Sequence, residues 1–190
     1  MKMHLPLSAL TLLLAGTAFA QRQTLAVQPD ASAVSFSLGA TDHATKGNFH
    51  VEKGTVTFDP KTSAMEGLVV VAAGSGKTGN DSRDKKMTKE VLDAAHFAEV
   101  TFAPASFQGK IAPAGDSTIQ VTGTFTLHGT PHPMTVPMQI HIDGASFKGQ
   151  THFVVPYVQW GLKDPSIFIL KVAKEVEVDL TLAGTLDAAH

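Results

Sequence analysis

The sequence has no cysteine in its 190 residues. That excludes disulfide staples, thiolate metal sites and a cysteine nucleophile. Charge of one sign is lacking too: 15 Lys and Arg stand against 17 Asp and Glu, a net −2. Such a balance leaves no electrostatic footprint for nucleic acid and no polybasic membrane patch. Beyond the first twenty residues there is no apolar run long enough to cross a bilayer as a helix. Internal repeats and low-complexity linkers are also missing.

The N-terminus has the parts of an export signal. Lys2 supplies a positive start, Leu5 to Ala15 an apolar stretch, and Ala18-Phe19-Ala20 a small-x-small cleavage pattern. A mature chain starting at Gln21, periplasmic or secreted, is the expectation. Thr17 stands where a lipoprotein would carry its cysteine, so no lipid anchor is expected. Residues 21–190 then form one domain, large enough to bury a core without staples.

What is present is mostly period-two alternation, the mark of half-buried strands. Val34, Phe36 and Leu38 alternate with serines, and Val56 and Phe58 with threonines before the Asp59-Pro60 turn. Val69 and Val71 continue a strand from near Met65, and Val100 and Phe102 run until Pro104. Val121, Gly123, Phe125 and Leu127 share a face. A turn from His128 to Pro133 is expected, then Met134, Val136, Met138, Ile140 and Ile142 in phase. Asp143-Gly144 signals a hairpin into Phe147, Gly149, Thr151, Phe153 and Val155. Val176, Val178, Leu180 and Leu182 line the last strand. Gly74 to Asn80 and Ile111 to Ser117 read as loops. Only Arg83 to Ala95 is helix-like, with Met87, Val91, Leu92 and Ala95 on one face and Asp81 or Ser82 as cap. Thr88 to Val91 also fits an internal capping box, which leaves two short helices open. Roughly eight strands and one helical insertion predict an all-β antiparallel barrel or sandwich. Gly67, Gly123 and Gly149 fit a hollow interior and fit bulges or barrel corners equally well.

Motifs of chemistry are weak. Gly74-Ser75-Gly76-Lys77-Thr78 imitates a nucleotide loop, but Val71 stands where the phosphate cradle needs its first glycine. Among the nine histidines, His128 and His132 are four apart with Pro131 and Pro133 excluding a helix, and His141 and His152 are candidates to face each other across a hairpin of unknown pairing. Neither pair makes a metal motif. No serine sits in a nucleophile elbow. Lys77, Arg83, Lys85 and Lys86 place cations around the helix entry, either as a solvated cap or as a rim for a polar head group. Trp160, the single tryptophan, reads as a packing residue or barrel plug.

Several segments in order resemble the YceI-like family of exported lipid- and polyisoprenoid-binding proteins. They are Ser32-Ala33-Val34-Ser35-Phe36 with Lys46-Gly47-Asn48-Phe49, then Gly54 to Pro60, then Ser75 to Asn80 leading to Arg83-Asp84. His96 to Phe102, Val121 to Gly129 and Trp160-Gly161-Leu162 complete the series, over about Thr24 to Gly184. The departures are Gly76, Phe125, Asp30-Ala31-Ser32 and Tyr157-Val158-Gln159, at positions where the family favours other residues. The resemblance implies an extended eight-stranded lipocalin-like barrel with a hydrophobic tunnel, no cofactor and no metal.

It also implies an isoprenoid or long-chain amphiphilic lipid as partner, bound without catalysis. In-phase strand faces nominate Phe36, Phe49, Phe58, Val69, Val71, Phe102, Phe125, Leu127 and Phe153 as tail contacts. The matching motif nominates Thr78, Arg83 and Asp84 for the head group. The rival readings are an enzyme acting on a lipid-like substrate and a packed-core interaction protein without ligand. A homodimer stands open on base rates alone.

Overall fold

The computed structural model describes residues 22–188, apart from 42 and 169. The expected export signal, residues 1–20, lies outside the described residues. Ten antiparallel strand segments follow one another: β1 (Gln23–Val27), β2 (Ala33–Leu38), β3 (Thr45–Phe49), β4 (Val51–Phe58), β5 (Met65–Ala72), β6 (Glu99–Gly109), β7 (Gly115–Leu127), β8 (Thr130–Asp143), β9 (Ser146–Val155) and β10 (Val176–Ala188). They occupy only eight positions in the sheet. β1 pairs with the far end of β10 and β2 with its near end, so the two are halves of one long strand. β4 and β3 run beside those halves in the same way. The β1–β10 pairing closes the ring into an eight-stranded antiparallel barrel.

The break between β1 and β2 has a local cause. Pro29 has no N–H for the ladder, and Pro29–Ala31 lifts off as a single 3₁₀ turn. Ser32 repairs the missing rung. Its hydroxyl accepts from the Ala183 N–H at 3.1 Å and donates to the Gln28 carbonyl at 2.8 Å.

The alternating faces of the sequence appear as strands, but several boundaries move. Pro104 does not stop β6: the strand runs on to Gly109. The register shifts between Pro104 and Ser106, and this bulge absorbs the donor that proline lacks. The expected turn from His128 to Pro133 shrinks to His128-Gly129, both at positive φ, which is the two-residue hairpin geometry. Pro131 and Pro133 therefore lie within β8, opposite Thr126 and Thr124. That stretch of β8 pairs with β7 only, since the β8–β9 ladder is confined to Gln139–Asp143. Prolines are tolerated along such an unpaired strand edge. The expected loop from Ile111 to Ser117 ends early, because β7 already begins at Gly115.

The helix also differs. α1 spans Asp81–Lys86 and is capped by Asn80, whose side chain accepts from the Arg83 N–H at 3.0 Å. Neither Asp81 nor Ser82 takes that role. α1 runs directly into a π turn, Met87–Val91, so there is no second capped helix. The Thr88 hydroxyl donates back to the Asp84 carbonyl instead of capping.

Two of the three glycines singled out in the sequence answer to backbone crowding. Gly67 has φ 125°, and a Cβ there would run into the Thr55 carbonyl. A Cβ at Gly123 would run into the Ala103 carbonyl beside the Pro104 bulge. Gly149 instead faces side chains, those of Phe147 and Met138.

One end of the barrel is filled. Val56, Phe58, Phe107, Ile119, Val121, Ile140, Ile142 and Phe147 are buried together there. Phe58 and Phe107 meet edge to face at 6.4 Å. The other end is capped by α1, the π turn and the segment joining β9 to β10.

Candidate functional site

Inside the capped end lies an apolar cavity of about 580 Å³. Its wall comes from the inner faces of β2, β3, β5, β6, β7, β8, β9 and β10, as period-two strands in a closed sheet require. A second void of about 50 Å³ continues toward the filled end, sharing Val69, Phe102, Met138 and Leu182 with the first.

The structure places Phe36, Phe49, Val69, Val71, Phe102, Phe125, Leu127 and Phe153 in the cavity wall. Phe36 and Phe49 pack at 5.4 Å, and Phe125 and Phe153 at 6.0 Å. Phe58 is not in this wall. It belongs to the filled end, because its strand position lies beyond the level at which the interior opens.

The predicted head-group residues form one network at the cap. Thr78 donates to the Asp84 carboxylate through both its N–H and its hydroxyl. The Arg83 guanidinium returns to Thr78, with Nε 2.8 Å from the hydroxyl oxygen and an Nη 3.1 Å from the carbonyl. The Thr78 hydroxyl bond does most to hold Asp84 below its ordinary 3.8. The Thr78 N–H and the Lys77 and Arg83 charges add to it, against burial. Thr78 and Arg83 line the cavity, whereas Asp84 is buried behind them and its carboxylate is occupied. Asp84 therefore holds Thr78 and Arg83 in place and does not face the cavity. Arg83 keeps unused N–H donors, and Lys86 lies beside it in the wall.

Strand periodicity missed a second group of wall residues. Met87, Val91 and Leu92 present the apolar face of α1 and the π turn to the cavity. That face was legible in the sequence, but its target was not. Tyr157, Leu162, Pro165, Leu170 and Val172 come from the β9–β10 connection, which carries no periodic signal. Tyr157 pins that connection by donating to the Ala173 carbonyl at 2.7 Å. Burial, helped by the Asp164 charge, pushes its hydroxyl up to about 12, so it stays a neutral donor. Trp160 packs outside the wall. It stacks on His132 at 3.9 Å with the rings 5° apart, and meets Phe125 at 5.8 Å.

The remaining motifs are absorbed by structure. Lys77 bridges Asn48 through the backbone, and its ammonium lies 3.9 Å from Asp84. His141 and His152 do not face each other: they pair with Asp116 and Asp179 at 2.7 and 2.9 Å. Among the described residues, no three His, Cys, Asp or Glu side chains gather into a group that could hold a metal ion.

A UPF0312 protein of Vibrio parahaemolyticus is 28% identical to this chain over 142 residues, 73% of each. A UPF0312 protein of Pseudomonas syringae pv. tomato is 26% identical over 184 residues, 91% of each. Among solved structures, BcnA of Burkholderia cenocepacia superposes with a TM-score of 0.67 at 25% identity, covering 84% of this chain and 99% of that one. A polyisoprenoid-binding domain from Saccharophagus degradans, implicated in plant cell wall breakdown, has the same fold. It superposes with a TM-score of 0.65 at 17% identity and covers 87% of this chain and 98% of its own. The model of the YceI-like domain matches residues 25–183, and the chain belongs to that family.

Proposed function

We propose that the protein binds the tail of an isoprenoid or other long-chain amphiphile inside the barrel, without chemical change, and carries or stores it in the periplasm after export. The observation that carries this reading is the apolar cavity of about 580 Å³ within a closed sheet. Its size falls in the range of small-molecule sites, roughly 300–1,000 Å³. Each buried CH₂ contributes about 0.8 kcal/mol, so a sixteen-carbon tail gains roughly 13 kcal/mol before ordering and association costs. Phe, Val, Leu and Met make up most of the wall and suit a tail. Arg83 and Lys86 at the cap suit a polar or anionic head group. Membership of the YceI-like family and the polyisoprenoid-binding neighbour support the same ligand class.

The test is mass spectrometry of lipid extracted from the protein after export, against a mock purification. A prenyl or long-chain amphiphile at stoichiometric level is expected. An empty protein whose melting temperature ignores added prenyl lipid would overturn the reading.

A further inference from the structure

Among the described residues, the most exposed large apolar side chain sits beside the cavity. Phe168 is 95% exposed and its neighbour Ile167 is 52% exposed. Both belong to the β9–β10 connection, whose Pro165 and Leu170 line the cavity on either side of them. The projection is built. The Ile167 N–H donates to the Leu170 carbonyl at 2.9 Å, so Phe168 stands exposed next to a hydrogen-bonded position. The flanking residues are fixed: Ser166 N–H donates to the Asp164 carboxylate, and the Ser166 hydroxyl accepts from Val172 N–H. Lys171 is pinned to Thr41 in both directions across the β2–β3 loop. Burying a phenylalanine is worth about 1.5–3 kcal/mol, and this fold holds one in solvent on a braced support.

The charges nearby favour one partner. Lys171 and Lys174 are exposed on the same connection. Both lower the pKa of Asp164, which is tied to Ser166, and Lys163 pairs with Glu90 across the cap at 2.8 Å. Glu175 is an exposed acid of this connection, while Asp164 is half-buried. Arg83 and Lys86 add positive charge in the cavity wall. An aromatic tip flanked by lysines matches the interface of an anionic bilayer, where aromatic rings sit at head-group level and cations meet phosphate.

We propose that Phe168 and Ile167 insert into the interface of an anionic lipid bilayer, docking the capped end of the barrel on the membrane so that a tail passes between bilayer and cavity without crossing water. This rests on the tail-binding reading above.

The test uses the whole mature protein and flotation with vesicles of phosphatidylcholine, with or without phosphatidylglycerol. Wild type should float with the phosphatidylglycerol vesicles and detach at high salt. The double variant Phe168→Asp, Ile167→Ser should lose roughly tenfold or more of that binding. It should keep its melting temperature and its binding of parinaric acid, a fluorescent tail probe. Transfer of that probe from vesicles should slow with the docking. Equal flotation of wild type and variant, or no flotation of either while parinaric acid still binds, would overturn the docking and leave tail binding intact. A wild-type dimer that the variant splits would also overturn it, since a second copy would then cover Phe168. Failure of wild type to bind parinaric acid would instead count against the tail-binding reading and, with it, the docking proposal built on it.

Discussion

The two ends of this barrel are built from the same strands, yet one is solid and the other hollow. At the solid end, β1 bridges β4 and β10, β8 pairs with β9, and every neighbouring strand is laddered. At the hollow end two seams part. β8 leaves β9 before Met138, and β3 pairs with β2 and bridges Lys77, while β4 takes β5. Parting the seams widens the interior, and inserted segments then supply the wall. The fully buried Ile119 and Val121 fill the narrow end, while the aromatic side chains of the wide end meet one another across space. A single sheet thus serves as scaffold at one end and as container at the other.

That comparison can be broken by truncation. Phe107→Ala at the solid end should cost about 3–5 kcal/mol in denaturant unfolding, because a filled site cannot collapse. Phe153→Ala at the hollow end should cost less than about 2 kcal/mol, because its ring already borders a void. Equal costs would mean that the cavity is closed in solution.

Ligand should sharpen the contrast. A tail lipid at a hundred times its Kd should stabilise the protein by about 2.7 kcal/mol, read as a raised melting temperature. Phe125→Asp should abolish that gain while the protein still folds. An unchanged gain would take Phe125 out of the tail path.

Smaller effects test the cap. Tyr157→Phe leaves the Ala173 carbonyl without its donor and should cost about 1 kcal/mol, with the loss confined to exchange protection of the β9–β10 connection. Asp84 gives a pH signature. Its folded pKa is depressed below 3.8, so its contribution is complete above that value and is lost as pH falls through the folded pKa. Asp84→Asn should weaken the cap and flatten the stability profile in that acid range. A profile identical to wild type would show that Thr78 and Arg83 hold the cap without it.

The strands were legible because a half-buried strand must alternate, and Val34 to Leu38, Val121 to Leu127 and Val176 to Leu182 do so without interruption. The prolines misled because a lost donor matters only where the ladder needs it. Pro104 falls in a bulge and Pro131 and Pro133 on an unpaired edge, facts of pairing and not of sequence. The same limit applies to the site. Alternation put eight of the nine nominated tail residues on the cavity wall, but could not tell Phe58 from Phe102, which share a phase and differ in depth.

By itself, then, the sequence determined a cysteine-free, mostly β protein with an apolar strand face and a helical insertion, and it carried a resemblance to the YceI-like family. Only the tertiary structure decided where the interior is empty. Periodicity fixes which way a side chain points, while a cavity depends on how far apart the opposing strands stand. That spacing is set by ladder closure, by two parted seams and by the unpatterned connection from Tyr157 to Val172, and none of these is written in local alternation.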